Sequence, residues 1–322
     1  MIFTWKCKDV DDQKTVRQIL TQAGFSNRLL KKIRRLGSIT SNGRSLRLID
    51  RISSGEILLI ILPEPQDQTA LRQDPELDII YLDDWYVAIN KKPGQVIHPT
   101  ATHNTGTITD RLSATPLHPI LRLDRETSGV ILIARMAFAH HFTSTRRMKK
   151  IYLGLVHGRF SPSHGTLTGS VKRSEDSFMR RVISPDGKEA VTLYREIAYS
   201  SDANVSLVYF ELLTGRTHQI RLHCLWHAHP LVGDTMYGLQ QLKQITAEQD
   251  YVRPDLLPEA LVLCRPEQMI PDNMVNRHAL HASHLEFEHV ASRQTITINA
   301  DLTPDLNNLF KQLNIATAIN CN

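Results

Sequence analysis

Asp124 stands between two arginines in the stretch His118-Pro119-Ile120-Leu121-Arg122-Leu123-Asp124-Arg125-Glu126-Thr127-Ser128-Gly129. The apolar run Val130-Ile131-Leu132-Ile133-Ala134 follows and reads as a buried strand. A carboxylate at the mouth of such a strand sits where a core can control its environment. It could act as nucleophile or base, or it could simply pair with Arg122 or Arg125 at the surface, where an ion pair contributes about 0–1 kcal/mol. Residues far along the chain bear on that choice. Tyr152 lies in Lys149-Lys150-Ile151-Tyr152-Leu153-Gly154-Leu155-Val156-His157-Gly158, where a period of two turns Ile151, Leu153 and Leu155 the other way. Its plainer reading is a core aromatic. Arg221 lies in Thr214-Gly215-Arg216-Thr217-His218-Gln219-Ile220-Arg221-Leu222-His223, just after a strand expected over 205–213. There Gly215 permits a sharp turn and Thr217 is the expected helix cap. Arg221 follows Thr217 by one turn, close to His218.

The elements that must hold these residues are legible from pattern. Strands are expected over 79–82 and 86–90, around the turn Asp83-Asp84-Trp85, with Lys91-Lys92-Pro93-Gly94 breaking the second. A short helix is expected near 107–112 and a longer one over 137–149, with a basic end of Arg146, Arg147, Lys149 and Lys150. Further strands fall at 166–171, 188–199, 277–287 and 296–298, and a closing helix at 305–313. Residues 239–276, with Pro254, Pro258 and Pro266, read as an irregular excursion. Lys172, Arg173, Arg180 and Arg181 form a second basic cluster. His223, Cys224, His227 and His229 raise the question of zinc, but one cysteine and no second ligand cluster argue against it.

Residues 1–62 read as a separate basic unit. Val16, Ile19, Leu20 and Ala23 recur at helical spacing, with Asp11 or Asp12 as cap and Gly24 as stop. Ser26 caps a second helix whose apolar face is Leu29, Leu30, Ile33 and Leu36. Arg28, Lys31, Lys32, Arg34 and Arg35 place five cations within eight residues of that helix. Ser41-Asn42-Gly43 signals a hairpin before 46–49, and 56–62 is a further apolar strand. The proline-bearing segment 63–77 reads as a tether that lets this unit move relative to residues 78–322.

Composition bounds the rest. The chain has 322 residues, is 41% hydrophobic, and carries a net charge of +5. A mildly basic balance suits a polyanionic partner. Cys7, Cys224, Cys264 and Cys321 show no paired spacing, as expected of reduced thiols. No apolar run is long enough to cross a membrane as a helix and no signal peptide is legible, so a cytoplasmic protein is expected.

Two stretches carry a specific resemblance. "RLDRETSG" followed by "VILIAR", with "NKKPGQVIHP" about 25 residues upstream, resembles the RluA-type RNA pseudouridine synthases. "GRTHQIRLH" is the second match, supported by "PLVGDTMYG" and "RHALHA". The family commonly has His where this chain has Leu121. The segment "SNRLLKKIRRLGSITSNGR" resembles the S4 RNA-binding domain, in which a basic helix faces RNA phosphates; Ser41 stands where a β-branched residue is usual. Together the resemblances cover roughly 13–62 and 78–299.

They imply an α+β fold class, a small S4-type αβ domain followed by a catalytic domain built on a mixed, largely antiparallel sheet, and a metal-free, cofactor-free isomerisation of uridine to pseudouridine in RNA, by an expected monomer. Asp124 is implied as the catalytic carboxylate, Arg221 as its partner, Tyr152 as the residue against the base, and Ile220 as an apolar wall. Arg122 is implied to fill the space left by a flipped-out base. Arg28, Lys31, Lys32, Arg34 and Arg35, with Asn42 and Arg44 in the hairpin, are implied RNA contacts. The "PLVGDTMYG" turn is expected to be structural. Large-subunit ribosomal RNA is the expected substrate, with transfer RNA as the alternative. A non-catalytic RNA-binding or assembly factor on the same fold would dispense with Asp124, Tyr152 and Arg221. A hydrolase would need a second acid, for which Glu126 is the only local candidate, and two residues along an extended chain is poor geometry for paired carboxylates.

Overall fold

The computed structural model describes residues 2–62, 71–100, 103–175, 177, 179–248, 256, 263 and 271–315. The chain is α+β and builds two main sheets. The first comprises β1 (Ile2–Lys6), β2 (Ser38–Ser41), β3 (Arg44–Ser45) and β4 (Ile57–Ile61), in the order β1-β4-β2-β3, with helices α1 (Val16–Gln22) and α2 (Asn27–Leu36) between β1 and β2. Asn42 and Gly43 take positive φ of 48° and 78°, the backbone that a two-residue hairpin turn requires. Ser26 caps α2 through its Oγ, and Leu30 and Ile33 bury its apolar face, while Leu36 is exposed. Three local expectations change. β1 is an additional strand that pairs with β4. Thr15, not Asp11 or Asp12, caps α1 in a box with Gln18; the Asp11 carboxylate instead accepts from Trp5 Nε1 at 3.3 Å and the Lys8 amide at 3.2 Å. Residues 46–49 are not a strand; Leu46 and Leu48 plug the core.

The second sheet has ten strands. Its elements are β5 (Ile79–Leu82), β6 (Tyr86–Lys91), α3 (Ile108–Leu112), β7 (His118–Pro119), β8 (Ser128–Ala134), α4 (Ala137–Ser144), β9 (Lys149–His157) and β10 (His164–Thr168). Then follow β11 (Val171–Arg173), β12 (Arg181–Ile183), β13 (Val191–Ser200), β14 (Val205–Leu212), α5 (Gln219–Trp226), α6 (Leu239–Glu248), β15 (Leu280–Glu288), β16 (Thr295–Asn299) and α7 (Pro304–Gln312). The sheet order is β10-β13-β14-β9-β15-β8-β6-β5, with β16 on β15 and β7 on β8; β11 and β12 form a separate ribbon. All these pairings are antiparallel except β15 with β8. Both faces of β8 are covered, so it reads as a continuous apolar run rather than an alternation. Ile131 and Ile133 pack with Ile97, Ile108 and Leu112 on one face; Val130 and Leu132 pack with Tyr86 and Phe287 on the other. Of the excursion, α6, Leu256, Leu263 and residues 271–276 are described, and both leucines pack on the cluster around α5; most of 249–270 lies outside the described residues, as do Cys264 and Cys321.

The N-terminal unit is docked rather than free. Phe25 and Phe3 meet Phe138 of α4 with ring centroids 4.1 and 5.7 Å apart, and the Arg293 guanidinium lies 4.9 Å over the Trp5 ring. One apolar cluster runs across both units. Residues 63–70 of the expected tether lie outside the described residues. Its second half is anchored, with the Arg72 amide donating to Leu112 O and the Asp74 carboxylate paired to Arg111 at 2.7 Å. Among the described residues, no helix is long and apolar enough to cross a membrane.

Candidate active site

Asp124 sits in the loop entering β8, at the C-terminal side of the residues that lead from β7. It is not in a strand, and the loop itself brings Arg122 and Asp124 to one pocket. The loop is braced from both flanks. Buried Lys91 donates through Nζ to Arg125 O at 2.7 Å, and buried Arg277 donates through Nη1 to Glu126 O at 3.1 Å. Thr127 and Ser128 are tied to β15 and the residues before it through hydroxyl–imidazole hydrogen bonds to His278 (2.7 Å) and His281 (2.9 Å). Gly129 makes the close crossing possible. Its φ is +107°, and a Cβ there would lie 2.2 Å from Ala282 O.

Arg221 reaches the loop from the first turn of α5. The positive φ of this segment falls on His218 (58°), which takes the N-cap position; neither Gly215 nor Thr217 plays the part expected of it. The Gln219 side chain fastens the turn instead, accepting from the Arg216 amide at 2.9 Å and donating to Val191 O at 3.1 Å. The guanidinium of Arg221 is divided between two carboxylates. Nε and Nη2 donate to both oxygens of Asp234, at 2.7 and 2.8 Å, while Nη1 donates to Asp124 Oδ2 at 3.1 Å.

Asp234 is the partner that sequence reasoning treated as a structural turn. Its side chain is fully buried and also accepts from the Met236 and Tyr237 amides, each at 2.9 Å. Burial acts to raise its pKa, but the Arg221 hydrogen bonds and charge hold it below the usual carboxylate value. Burial likewise acts to lower the Arg221 pKa, and Asp234 and then Asp124 more than offset it, leaving the guanidinium firmly charged. The signal in the sequence was an aspartate just after a Gly in a tight turn, with no hint of its long-range partner.

With its bidentate face given to Asp234, Arg221 fixes Asp124 by a single hydrogen bond. The second Asp124 oxygen, Oδ1, lies 3.7 Å from His218 Nε2. His218 is itself held by Tyr237 Oη at its Nδ1, 3.0 Å away, and burial lowers its pKa, favouring the neutral ring. The Asp124 side chain stays 23% exposed, toward a pocket of about 480 Å³. Tyr152 and Ile220 are apolar walls of that pocket, and Arg122 and Leu121 stand on its rim. Burial, then the charge of Asp124, raises the Tyr152 pKa above its ordinary value, so its hydroxyl stays protonated. Lys150, two residues before Tyr152 on the same face of β9, also lines the pocket. Among the described residues its ammonium forms no ion pair, and burial lowers its pKa. Sequence reasoning had left Lys150 in an unspecific basic run.

The structure thus brings together Asp124, Tyr152, Arg221, Ile220 and Arg122 in one pocket. Arg28, Lys31, Lys32, Arg34, Arg35, Asn42 and Arg44 all lie exposed on the other unit. Glu126, the candidate second acid, turns outward, 45% exposed and 3.4 Å from Arg125. His223 and His227 of the suspected zinc cluster bond to the Gly169 and Thr168 carbonyls, and His229 to that of His157. Leu121 packs against the apolar cluster under β8, which gives the position an apolar role.

Residues 85–226 match the family model for RNA pseudouridylate synthase. Over 312 residues the chain is 32% identical to the uncharacterized RNA pseudouridine synthase YjbO of Bacillus subtilis strain 168, covering 92% of this chain and 98% of that protein. It is 33% identical over 308 residues to the ribosomal large subunit pseudouridine synthase D of Xylella fastidiosa, covering 92% of this chain and 87% of the relative. The solved structure of human RNA pseudouridylate synthase domain containing 1 shares the fold, with a TM-score of 0.52 at 22% identity over 76% of this chain and 90% of that one. A chain aligned almost end to end with such relatives, with an aspartate held open by a pre-committed arginine, belongs to the RNA pseudouridine synthase family.

Proposed function

We propose that this protein is an RluA-type enzyme that converts specific uridines of large-subunit ribosomal RNA to pseudouridine, with Asp124 as the reacting carboxylate. The observation that carries the reading is the division of Arg221. Asp234 takes its bidentate face, so Asp124 is oriented by one bond and keeps its other lone pairs for the substrate. Asp124 acts on the ribose of a flipped-out uridine as nucleophile or as base; the N-glycosidic bond breaks, the uracil turns in place, and its C5 bonds to the ribose C1′ while C5 gives up its proton and N1 takes one up. Tyr152 packs on the uracil and Ile220 closes the wall, which keeps the detached base from leaving. Lys150, one pleat repeat from Tyr152, is positioned to meet a phosphate of the same nucleotide. Arg122 fills the gap the base leaves, offsetting a few kcal/mol of unstacking. The N-terminal unit acts as an S4-type module, with Arg28, Lys31, Lys32, Arg34, Arg35, Asn42 and Arg44 toward RNA phosphates. The name of the Xylella relative supports ribosomal RNA over transfer RNA.

The test is to incubate purified protein with unmodified large-subunit ribosomal RNA and, separately, with unmodified transfer RNA, and to map pseudouridine in each. Site-specific formation in the ribosomal RNA is expected. Formation in transfer RNA alone would reassign the substrate, and none in either would sink the reading.

A further inference from the structure

A second cavity of about 360 Å³ adjoins the active-site pocket and shares Ile120 and Arg122 with it. Three half-buried imidazoles line it, those of His98, His118 and His140, with Leu117 as an apolar wall. The His118 and His140 rings stand 6.2 Å apart at 53°. Elsewhere the buried histidines of this protein are tied to protein partners: His223 to Thr192 and Gly169, His278 to Thr127, His281 to Ser128 and Ala300, and His289 to Asp83. Among the described residues, the imidazoles of His98, His118 and His140 form no hydrogen bond or ion pair. Three flat rings with unused donors and acceptors therefore face one cavity beside the reaction centre.

The chemistry of that lining selects its occupant. A neutral imidazole offers one donor and one acceptor in its ring plane and a π-face for stacking. Those are the means by which proteins read unstacked bases of RNA. Burial, then the charge on His140, lowers the His118 pKa, which favours the neutral ring. The lining includes no carboxylate, and its one charged side chain is the exposed cation Arg122, so an RNA strand can pass without repulsion. The described residues contain no group of three His, Cys, Asp or Glu side chains arranged to hold a metal ion. Resting on the reading above, we infer that this cavity receives the nucleobase next to the target uridine. Arg122 then stands between two extruded bases, and the histidine cavity contributes to the choice of uridine by reading its neighbour.

The test uses an RNA fragment carrying one mapped target uridine, made intact or with the base of one neighbouring nucleotide deleted and its ribose-phosphate kept. Base stacking contributes enough that kcat/KM of the wild-type protein should fall by about tenfold or more for deletion on one side of the target. In the triple variant His98→Ala, His118→Ala, His140→Ala, the intact RNA should already show that loss, and the deletion should add less than about twofold. Insensitivity of the wild type to deletion on either side would overturn the proposal. So would an equal further loss in wild type and variant. Should the triple variant fail to fold, His140→Asn and the wild-type comparison carry the same test. No turnover of the intact RNA would overturn the parent reading, whereas ordinary turnover with flank-insensitive kinetics overturns this one alone.

Discussion

At the scale of residues, the site turns on how one guanidinium is shared. Arg221 is 8% exposed and bonds two carboxylates, only one of which faces the pocket. Removing a partner from such a buried pair leaves an uncompensated charge, which costs roughly 3–5 kcal/mol. Arg221→Ala should therefore destabilise the fold by that amount as well as abolish turnover, read from the denaturation midpoint and from pseudouridine yield. Asp124→Asn should leave the midpoint nearly unchanged, because Asp234 retains Arg221. Equal destabilisation by both variants would contradict this division of labour. Asp124, Tyr152 and Arg221 were legible in the sequence because their neighbours match a family pattern. Asp234 and Lys150 were not, since the one depends on a contact 13 residues away through a turn and the other on which face of β9 borders the pocket.

At the scale of elements, the loop that carries Asp124 is placed by the crossing of β8 and β15, where Ala282 pairs with Gly129 and His281 with Ser128. Gly129→Ala would combine a strained φ with a Cβ 2.2 Å from a backbone oxygen, so one strand must shift. A loss of about 3 kcal/mol or more is expected from strain plus overpacking, measured by denaturant unfolding. The same crossing makes stability pH-dependent. Burial pushes both His278 and His281 down to about 4 from an ordinary value of 6.5. Between those values the unfolded chain binds protons that the folded chain refuses, so stability is full above pH 6.5 and falls as pH drops toward 4. The slope is about 1.4 kcal/mol per pH unit for each histidine. Unfolding midpoints at pH 7 and pH 5 check this, and a midpoint unchanged at pH 5 would count against it. Strand and helix positions were largely readable from periodicity. The partnering of β15 with β8 was not, because that contact spans about 150 residues and no local signal marks it.

At the scale of the whole molecule, the basic helix and the Asp124 pocket belong to one packed body. Phe25, Phe3 and Phe138 join the units, and the five cations of α2 remain exposed. A proline-rich tether suggested independence in the sequence, but the aromatic residues that dock the units are scattered over more than 100 positions. If α2 holds RNA phosphates, replacing Lys31, Lys32 and Arg35 by Ala should weaken RNA binding. The slope of log affinity against log salt should become shallower by roughly 0.7–0.9 for each phosphate that the variant no longer neutralises. Turnover at saturating RNA should be little changed. A filter-binding series over a range of salt concentrations, paired with single-turnover kinetics, reads both quantities, and an unaltered salt slope would remove α2 from the RNA interface.

The most direct test of the central claim compares the wild type with Asp124→Asn on unmodified large-subunit ribosomal RNA, scoring pseudouridine at mapped positions under single-turnover conditions alongside RNA affinity. No detectable pseudouridine is expected from the variant, with affinity within about twofold of wild type. Turnover by Asp124→Asn at a rate near that of the wild type would contradict it.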